Sequence, residues 1–278
     1  MIEIKNVNKS FKKTHVLKNV SCTLEHGVYG LLGPNGVGKT TLMRCMTHLY
    51  NLNSGEILVD GVSIKKKKND IGYLPQSFGL FKELSVWDSM NYFCNLKGIR
   101  KSARKEEIYH ALQAVNLINS MKTGSGKLSG GMMRRVGVAQ AILGKPELIL
   151  FDEPTAGLDP EERMNFKRIV SNLGKDETVV ISTHIVDDIE ASCDHVIVMN
   201  EGRILYVGTC EELKDYAKGK VYECPQGAEH NLSGNYMAEK QYEKDGNIYY
   251  RLLAEPGKNL PTLEPTIEDG YMCIIKGI

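Results

Sequence analysis

The chain has 278 residues, of which 35 are basic and 34 acidic, so its formal net charge is +1. This length allows one large domain together with one small one. A protein that neutralises many nucleic-acid phosphates usually carries a basic excess, so the charge balance argues against nucleic acid as a partner. The dense basic run Lys65–Lys68 lies between strand-like segments and is typical of a solvated turn.

Seven cysteines are scattered along the sequence without a Cys-x-x-Cys pair. An odd number in a chain of this size argues against a disulfide framework and fits a reducing compartment. The N-terminus leads directly into the strand-like "IEIKNV" and does not resemble a signal peptide. No apolar run approaches the ~20 residues that a membrane span needs, so we expect any membrane role to require a partner.

The first 40 residues predict strands and turns. "VLKNVSCTL" alternates apolar and polar residues, as a half-buried strand does, and "VYGLL" (Val28 to Leu32) is a continuous apolar run typical of a buried strand. A glycine-rich turn follows, and "KTTLMRCM" then predicts a helix.

The middle of the chain predicts a helical insert inside an alternating fold. From Phe81 to Leu117, apolar residues recur at spacings of three and four, which is a helical period. Strand-like and helical segments alternate afterwards, from "ELILF" through "EERMNFKRIVSNL", "TVVIST" and "VDDIEASC" to "HVIVMNEGRILYVG", which resembles a hairpin around "NEGR". This alternation predicts an α/β fold with a parallel sheet.

Beyond Lys218 the pattern changes again. "QYEKDGNIYYRLL" places an Asp-Gly pair between two strand-like runs, a strong hairpin signal, and "GYMCIIKG" predicts another strand. We therefore expect a large domain of residues 1–218, with a helical subdomain at about 77–145. A small α+β accessory domain of residues 219–278 would follow it.

A phosphate-binding motif opens the predicted site. "GPNGVGKT" (Gly33 to Thr40) matches G-x-x-x-x-G-K-[ST] and lies between a predicted strand and a predicted helix. Small residues let main-chain N–H groups surround phosphates, and the helix N-terminus adds a favourable dipole. In this motif Lys39 reaches the terminal phosphates and the Thr40 hydroxyl can ligate magnesium.

A second magnesium anchor follows a buried strand in "LILFDEP" (Leu148 to Pro154). The carboxylate of Asp152 can hold the ion directly or through water. Because adjacent side chains at a strand end point differently, Glu153 can face a water molecule instead of the metal. We therefore expect Glu153 to be the general base that polarises the water attacking the γ-phosphate.

Five motifs occur in one order: these two, "LSGG" from Leu128, "GLDP" from Gly157, and the lone histidine of "STHIVDD". The set resembles that of the ATP-binding cassette (ABC) ATPases and covers about residues 1–215. The resemblance implies a P-loop NTPase core with a β-rich N-terminal subdomain and a helical subdomain. It also implies ATP hydrolysis, with ATP and Mg²⁺ as cofactors.

The resemblance also answers why two glycines open the helix after "LS", where glycine is costly. Ser129, Gly130 and Gly131 would meet the γ-phosphate of ATP bound to a second cassette, in a head-to-tail dimer of like or unlike subunits. Gln76 would contact magnesium and the attacking water, and His184 the γ-phosphate. The implied catalytic residues are thus Glu153, His184 and Gln76.

The remaining assignments rest on the same resemblance. Phe11 would stack on adenine, and Asp159 lies in the loop that couples the two sites. Met132 departs from the family, which usually has glutamine there, so we expect differently tuned closure of the dimer. The implied nucleotide-binding residues are Phe11, Gly33, Asn35, Gly36, Gly38, Lys39, Thr40, Thr41, Ser129, Gly130, Gly131 and Asp159, and the implied metal ligands are Thr40, Gln76 and Asp152.

The C-terminal segment "PTIEDGYMCIIKG" resembles the closing segment of exporter-type ABC subunits. Such subunits pair with separate polytopic membrane permeases and export antibiotics, peptides, lipids or polysaccharides. We therefore expect an exporter ATPase held peripherally at the cytoplasmic face of the cell membrane. The alternatives are a soluble ABC ATPase acting on ribosomes or DNA, and the ATPase of an ABC importer.

Overall fold

A computed structural model describes residues 1–232 and 234–278, without the side chains of Lys68, His230 and Asn231. The predicted turn at Lys65–Lys68 therefore lies partly outside the described residues. Internal contacts divide the chain into two units, Met1–Ile204 and Leu205–Ile278. This division falls before the domain boundary predicted at 218/219, within a strand that continues from one unit into the other.

The first unit contains ten strands in chain order, the last of which ends in the second unit. Their bounds are β1 Ile2–Phe11, β2 Thr14–Leu24, β3 Gly27–Leu32, β4 Ser54–Val59, β5 Val62–Ser63, β6 Ile71–Leu74, β7 Leu148–Asp152, β8 Thr178–Thr183, β9 His195–Asn200 and β10 Arg203–Thr209. Its α-helices are α1 Lys39–Met46, α2 Val86–Leu96, α3 Arg104–Ala114, α4 Gly130–Ile142, α5 Pro160–Val170 and α6 Val186–Glu190. Short 3-10 turns cover Ile64–Lys66, Lys68–Asp70, Ile118–Ser120 and Ser125–Lys127.

Two sheets form the core of this unit. An antiparallel sheet has the order β2-β1-β4-β5, and a six-stranded sheet has the order β10-β9-β3-β8-β7-β6. The pairs of β3 with β8 and β9, and of β7 with β6 and β8, are all parallel. Strands β3, β7 and β8 are buried along their whole length, as expected for apolar runs covered on both faces. The predicted α/β fold with a parallel sheet is confirmed.

The segment between β6 and β7 is helical, as its apolar spacing predicts. Val86, Met90 and Cys94 recur every four residues on α2, while Ile108 and Leu112 do so on α3, and all five are buried in one core cluster. Helix α4 packs against β6 and β7, and so joins this helical insert to the parallel sheet. The helical insert is thus attached to β6 and β7, the strands whose ends carry part of the candidate site.

The second unit is a three-stranded antiparallel sheet with two helices. Its elements are α7 Cys210–Tyr216, β11 Val221–Pro225, β12 Tyr236–Lys244, β13 Asn247–Ala254 and α8 Ile267–Lys276, with a 3-10 turn at Ala228–Asn231 and the strand order β11-β13-β12. The hairpin predicted at the Asp-Gly pair is confirmed, because Lys244 pairs with Asn247 around it. Asp245 (φ 52°) and Gly246 (φ 74°) both adopt the left-handed conformation that such a two-residue turn requires.

The strand predicted at "GYMCIIKG" is wrong, since these residues belong to helix α8. A capping box starts this helix, in which the Thr266 hydroxyl accepts a hydrogen bond from the Asp269 N–H, and Gly277 ends it with φ 69°. Gly270 and Cys273 are buried on one face, a spacing of three that the short apolar run concealed.

Within residues 1–232 and 234–278, no helix is both long and apolar enough to cross a membrane.

Candidate active site

The candidate site forms where four parallel strands end at one edge of the sheet. Leu32, the last residue of β3, pairs with Thr183 of β8, and Asp152 at the end of β7 pairs with Ser182. Leu74, which ends β6, pairs with Phe151. The phosphate loop, Gln76, Glu153 and His184 follow these strand ends directly, so the topology brings together residues that are far apart in sequence.

The phosphate loop leaves its main-chain donors free for an anion. Gly38, which has no side chain to cap a helix, precedes α1 with φ 112°. The Lys39 Nζ donates to the carbonyl oxygens of Gly33 (2.6 Å) and Pro34 (3.0 Å) and is buried. Burial lowers the pKa of Lys39, while the nearby carboxylates of Glu153 and Asp152 act in the opposite direction. The ammonium group is therefore held within the loop, where a phosphate would be a stronger partner.

The loop forms one wall of an open cleft of about 490 Å³. Seven predicted nucleotide-binding residues line it together with two of the three predicted catalytic residues, but His184 is not part of the lining: Phe11, Asn35, Gly36, Gly38, Lys39, Thr40, Thr41, Gln76 and Glu153. Val16, which the sequence did not single out, completes the lining. Gly33 serves another purpose, because a Cβ there would meet the main-chain oxygen of Met199.

Phe11 lies at the end of β1 with 39% of its surface exposed. Its ring makes an edge contact with Tyr50 at a centroid distance of 5.2 Å, and the Lys9 ammonium lies 4.8 Å from its centre. A face of the ring is therefore available at the cleft, as stacking on a purine requires.

Asp152 is fully buried, and polar neighbours hold its carboxylate. Thr40 Oγ1 (3.0 Å) and Ser182 Oγ (2.7 Å) donate to its Oδ1, and the Tyr73 hydroxyl (3.3 Å) donates to its Oδ2. The two predicted metal ligands Thr40 and Asp152 are thus adjacent. Hard oxygen donors in this small number fit Mg²⁺, which usually takes one or two protein ligands and completes its shell with phosphate and water.

Glu153 lies between the two other predicted catalytic residues. Gln76 Nε2 donates to its Oε2 at 2.9 Å, and His184 Nδ1 is 3.6 Å from its Oε1. Its main chain has φ 45°, a conformation that side-chain-bearing residues seldom adopt, and its N–H donates to Ser182 Oγ at 2.9 Å. Its carboxylate therefore has other neighbours than that of Asp152, whose partners are Thr40, Ser182 and Tyr73.

The sequence did not single out Arg134, whose side chain donates five hydrogen bonds to the main chain at this edge. Its guanidinium donates to the carbonyl oxygens of Pro75, Gln76, Asp152, Glu153 and Pro154. Burial lowers the pKa of Arg134, against the effect of Asp152 and Glu153. An arginine within a helix carries no signal of such a role in a single sequence.

The signature residues lie apart from the cleft lining. Ser129 caps α4 by accepting a hydrogen bond from the Met132 N–H at 3.1 Å, and Asp159 caps α5 in the same way from Glu162. Apart from its chain neighbours and the main chain of its own helix, no described heavy atom lies within 4 Å of a Cβ added at Gly130, whereas one at Gly131 would lie 2.5 Å from Glu162 Cδ. Packing within the chain therefore explains Gly131 but not Gly130.

Comparison with known proteins agrees with this geometry. The ABC transporter family model matches residues 17–156. An uncharacterised ABC transporter ATP-binding protein of Bacillus subtilis, YxlF, is 33% identical over the whole chain and 92% of its own length. The linearmycin resistance ATP-binding protein LnrL of B. subtilis is 32% identical over 77% of this chain and 70% of its own.

Another relative is named for ion import. An Fe(3+) ion import ATP-binding protein of Haemophilus influenzae, FbpC 1, is 35% identical over 76% of this chain and 66% of its own. A bacterial ABC transporter cassette, solved as a dimer, superposes with a TM-score of 0.68 at 25% identity, over 75% of this chain and 98% of its own. The chain therefore belongs to the ABC transporter family, as an ATP-binding and ATP-hydrolysing cassette.

Proposed function

We propose that this chain is one of two cassettes that power export through separate membrane subunits. In this proposal, each of two ATP molecules lies between the phosphate loop of one cassette and the signature residues of the other. The observation that carries it is Gly130, a glycine at a helix N-terminus whose open surroundings suit the close approach of a phosphate from outside the chain.

The side chains of the site support hydrolysis as follows. Lys39 and the free main-chain N–H groups of the loop would bind the β- and γ-phosphates. Thr40 and Asp152 would hold Mg²⁺, which neutralises phosphate charge when bound. Gln76 and His184 would orient a water molecule beside Glu153. The oxygen of this water would attack the γ-phosphorus as the bond to the β-phosphate breaks. Glu153 would accept a proton from the water, and the products would be ADP and inorganic phosphate.

The helical insert supports a partner beyond the second cassette. Phe81 and Tyr92 form an edge contact at 6.1 Å although they are 62% and 44% exposed, and Leu96 is 61% exposed. Large apolar side chains grouped on the surface are typical of interaction sites. Because Gln76 lies between this insert and the catalytic edge, a membrane subunit bound here would sense the state of the nucleotide. Such an assembly would place the chain at the cytoplasmic face of the membrane.

Export is the direction that the C-terminal region favours. The segment "PTIEDGYMCIIKG" resembles the closing segment of exporter-type subunits. Coverage by the relatives does not separate the two directions, because LnrL matches 77% of this chain and the iron import protein FbpC 1 matches 76%. The resistance function in the name of LnrL fits removal of a compound from the cell. Import remains the second candidate, because FbpC 1 shares the cassette at a similar level of identity.

The Glu153→Gln variant tests the catalytic part of this proposal. We expect it to bind ATP as the wild type does and to hydrolyse it about 10²-fold more slowly or worse, because the amide cannot accept a proton. Steady-state ATPase assays and titration with a fluorescent ATP analogue measure both quantities. Glu106→Gln, an exposed position on α3, is the matched control. Wild-type turnover in Glu153→Gln would remove Glu153 from this role.

The same variant tests the partner. Purified from membranes with ATP and magnesium, tagged Glu153→Gln should retain a polytopic membrane protein, because the unhydrolysed state persists. Ribosomal or DNA-bound proteins in its place would contradict the transport proposal. Deletion of the partner's gene should then raise cellular accumulation of the transported compound, whereas lowered accumulation would indicate import.

A further inference from the structure

Arg134 uses every hydrogen-bond donor of its side chain on the main chain of the catalytic edge. Nε donates to Pro154 (2.9 Å), Nη1 to Pro75 (3.0 Å) and Gln76 (2.9 Å), and Nη2 to Asp152 (3.0 Å) and Glu153 (2.6 Å). A guanidinium has five N–H groups, and here each of the five meets a different carbonyl oxygen.

These carbonyl groups come from two segments of the chain. Beyond the ends of β6 and β7, the strand pairing no longer joins these segments. Pro75 and Gln76 follow the end of β6, whereas Glu153 and Pro154 follow the end of β7. The pairing of β6 with β7 stops at Leu74 and Phe151. Arg134 therefore connects the two segments through its guanidinium, just beyond the place where the hydrogen bonds of the sheet end.

The connected segments carry the side chains that face the proposed reaction centre. Gln76 Nε2 and Glu153 Oε2 are 2.9 Å apart, so the two carbonyls held by Arg134 belong to residues already in contact. Glu153 is also in the left-handed conformation, with φ 45°. Such a conformation is unfavourable for a residue with a side chain, and it persists only where the surroundings enforce it. The Nη2 bond to its carbonyl oxygen and the Ser182 bond to its N–H hold it from both sides.

We propose that Arg134 is a positioning residue for ATP hydrolysis, holding the main chain of Gln76 and Glu153 so that the amide and the carboxylate meet the attacking water together. This inference rests on the proposed roles of Gln76 and Glu153. All the donors of Arg134 are engaged with carbonyl oxygens, so Arg134 would act through Gln76 and Glu153 and not as a catalytic residue itself. No other side chain can replace it fully: a lysine offers three donors from one point, and a glutamine two.

The test compares Arg134→Lys and Arg134→Gln with the wild type. We expect kcat to fall about 10-fold or more in both, because misplacement of catalytic groups by less than 1 Å has effects of this size. The dissociation constant of a fluorescent ATP analogue should stay within about threefold, since the phosphate loop makes no bond to Arg134. The matched control is Arg104→Lys, which removes an arginine from α3 whose side chain bonds Ile99 and Asn95 away from the site.

Chemical rescue separates positioning from general stability. Arg134→Ala should regain part of its kcat when free guanidinium is added at non-denaturing concentration, because the ion can occupy the vacated fork. Methylammonium, a cation without that planar fork, should not restore it. A merely structural loss would respond to neither ion, and it would lower nucleotide affinity together with turnover.

Each outcome decides the proposal. Turnover in Arg134→Gln within twofold of wild type overturns it, and so does a parallel loss of nucleotide binding and turnover in the Lys variant. If Arg134→Ala does not fold, Arg134→Lys decides alone. A kcat of half the wild-type value or more in Arg134→Lys would show that the planar guanidinium is not required, and it would overturn the proposal. If the Arg134 variants contradict the positioning role while Glu153→Gln is inactive, the proposed function still holds. If Glu153→Gln is active, the proposed catalytic role of Glu153 is overturned, and the role of Arg134 that rests on it is overturned as well.

Discussion

Arg251 joins two buried carboxyl groups in the second unit. Its Nε donates to Asp269 Oδ1 at 2.8 Å and lies 3.6 Å from Glu239 Oε2. Burial, followed by the hydrogen bond with Asp269, raises the pKa of Glu239 to about 8. Burial would also raise the pKa of Asp269, but hydrogen bonds from Arg251, Glu239 and Thr266 outweigh it and lower that pKa. This direction implies that Glu239 holds a proton at neutral pH, which it would donate to the Asp269 carboxylate.

The stability of this unit should consequently depend on pH through Glu239. Since its pKa is higher in the folded than in the unfolded chain, its proton stabilises the fold at low pH. That contribution falls as the pH rises above the unfolded pKa and is lost beyond about 8. Glu239→Gln places a permanent donor beside Asp269, so its unfolding midpoint should decline less than that of wild type between pH 6 and pH 9.

Calorimetry at several pH values measures this difference, with Glu243→Gln, an exposed glutamate on the same strand, as the control. Equal pH dependence in wild type and Glu239→Gln would show that the pair does not share a proton. Asp269 acts in the opposite sense, because its lowered pKa costs stability only as acid protonates it. The comparison therefore belongs above pH 6, where Asp269 stays charged.

At this scale the sequence predicts residues whose chemistry is tied to a motif. Asp152 and Glu153 stand out because a buried strand ends in two acids beside a phosphate loop. Arg134 does not stand out, since its role depends on carbonyl oxygens that only the folded chain brings together. The left-handed turn at Glu153 was equally inaccessible, because a glutamate usually avoids that conformation and the side chain of Ser182 helps to enforce it.

At the scale of elements, the start of α4 separates two glycines that look equivalent in sequence. A Cβ at Gly131 would lie 2.5 Å from Cδ and 2.6 Å from Cγ of Glu162, whose carboxylate forms an ion pair with Arg135 at 3.2 Å. A Cβ at Gly130, the first residue of the helix, would meet no described heavy atom within 4 Å apart from its chain neighbours and the main chain of its own helix. Stability and activity should therefore respond differently at the two positions.

We expect Gly130→Ala to keep or raise the free energy of unfolding, by up to about 0.5 kcal/mol, because alanine favours a helix. Its ATP hydrolysis should fall about 10-fold or more if the bare main chain contacts the partner's phosphate. Gly131→Ala should gain less stability than Gly130→Ala, since the end of the Glu162 side chain must move away from its ion pair with Arg135. Denaturant titration and ATPase assays measure both. Gly124→Ala, also open and at φ −62°, serves as the control, and full activity in Gly130→Ala would contradict the dimer site.

Elements were predictable where length or turn chemistry distinguished them. The buried runs of β3, β7 and β8 are short and flanked by turn residues, and the Asp-Gly pair fixes the hairpin of β12 and β13. The apolar run of α8 was ambiguous, because a stretch such as "YMCII" fits a strand as well as a buried helix face. The capping box that decides it consists of Thr266 and Asp269. It has aspartate at the position where the usual pattern has glutamate or glutamine.

At the scale of the whole molecule, the residues predicted to bind one nucleotide are divided between two places on a single chain. The cleft lining contains the phosphate loop, Gln76 and Glu153, but Ser129 and Gly130 are not part of it. The fold alone leaves this separation unexplained, and a head-to-tail pair of cassettes explains it. Sequence motifs predicted such a pair by resemblance, and the related cassette solved as a dimer supports it.

This argument predicts a dimer that ATP assembles and hydrolysis dissolves. Glu153→Gln, which should hold ATP without cleaving it, is expected to shift from 31.0 kDa to about twice that mass when ATP and magnesium are present. Light scattering after gel filtration measures the mass, and the bound nucleotide should amount to one ATP per chain. ADP should leave the chain monomeric, because the signature residues meet only a γ-phosphate. Lys39→Ala should stay monomeric with ATP, since its phosphate loop lacks the ammonium group. A monomer saturated with ATP, or a dimer equally stable without nucleotide, would contradict the shared site, because the separation of Gly130 from the cleft would then have no role in nucleotide binding.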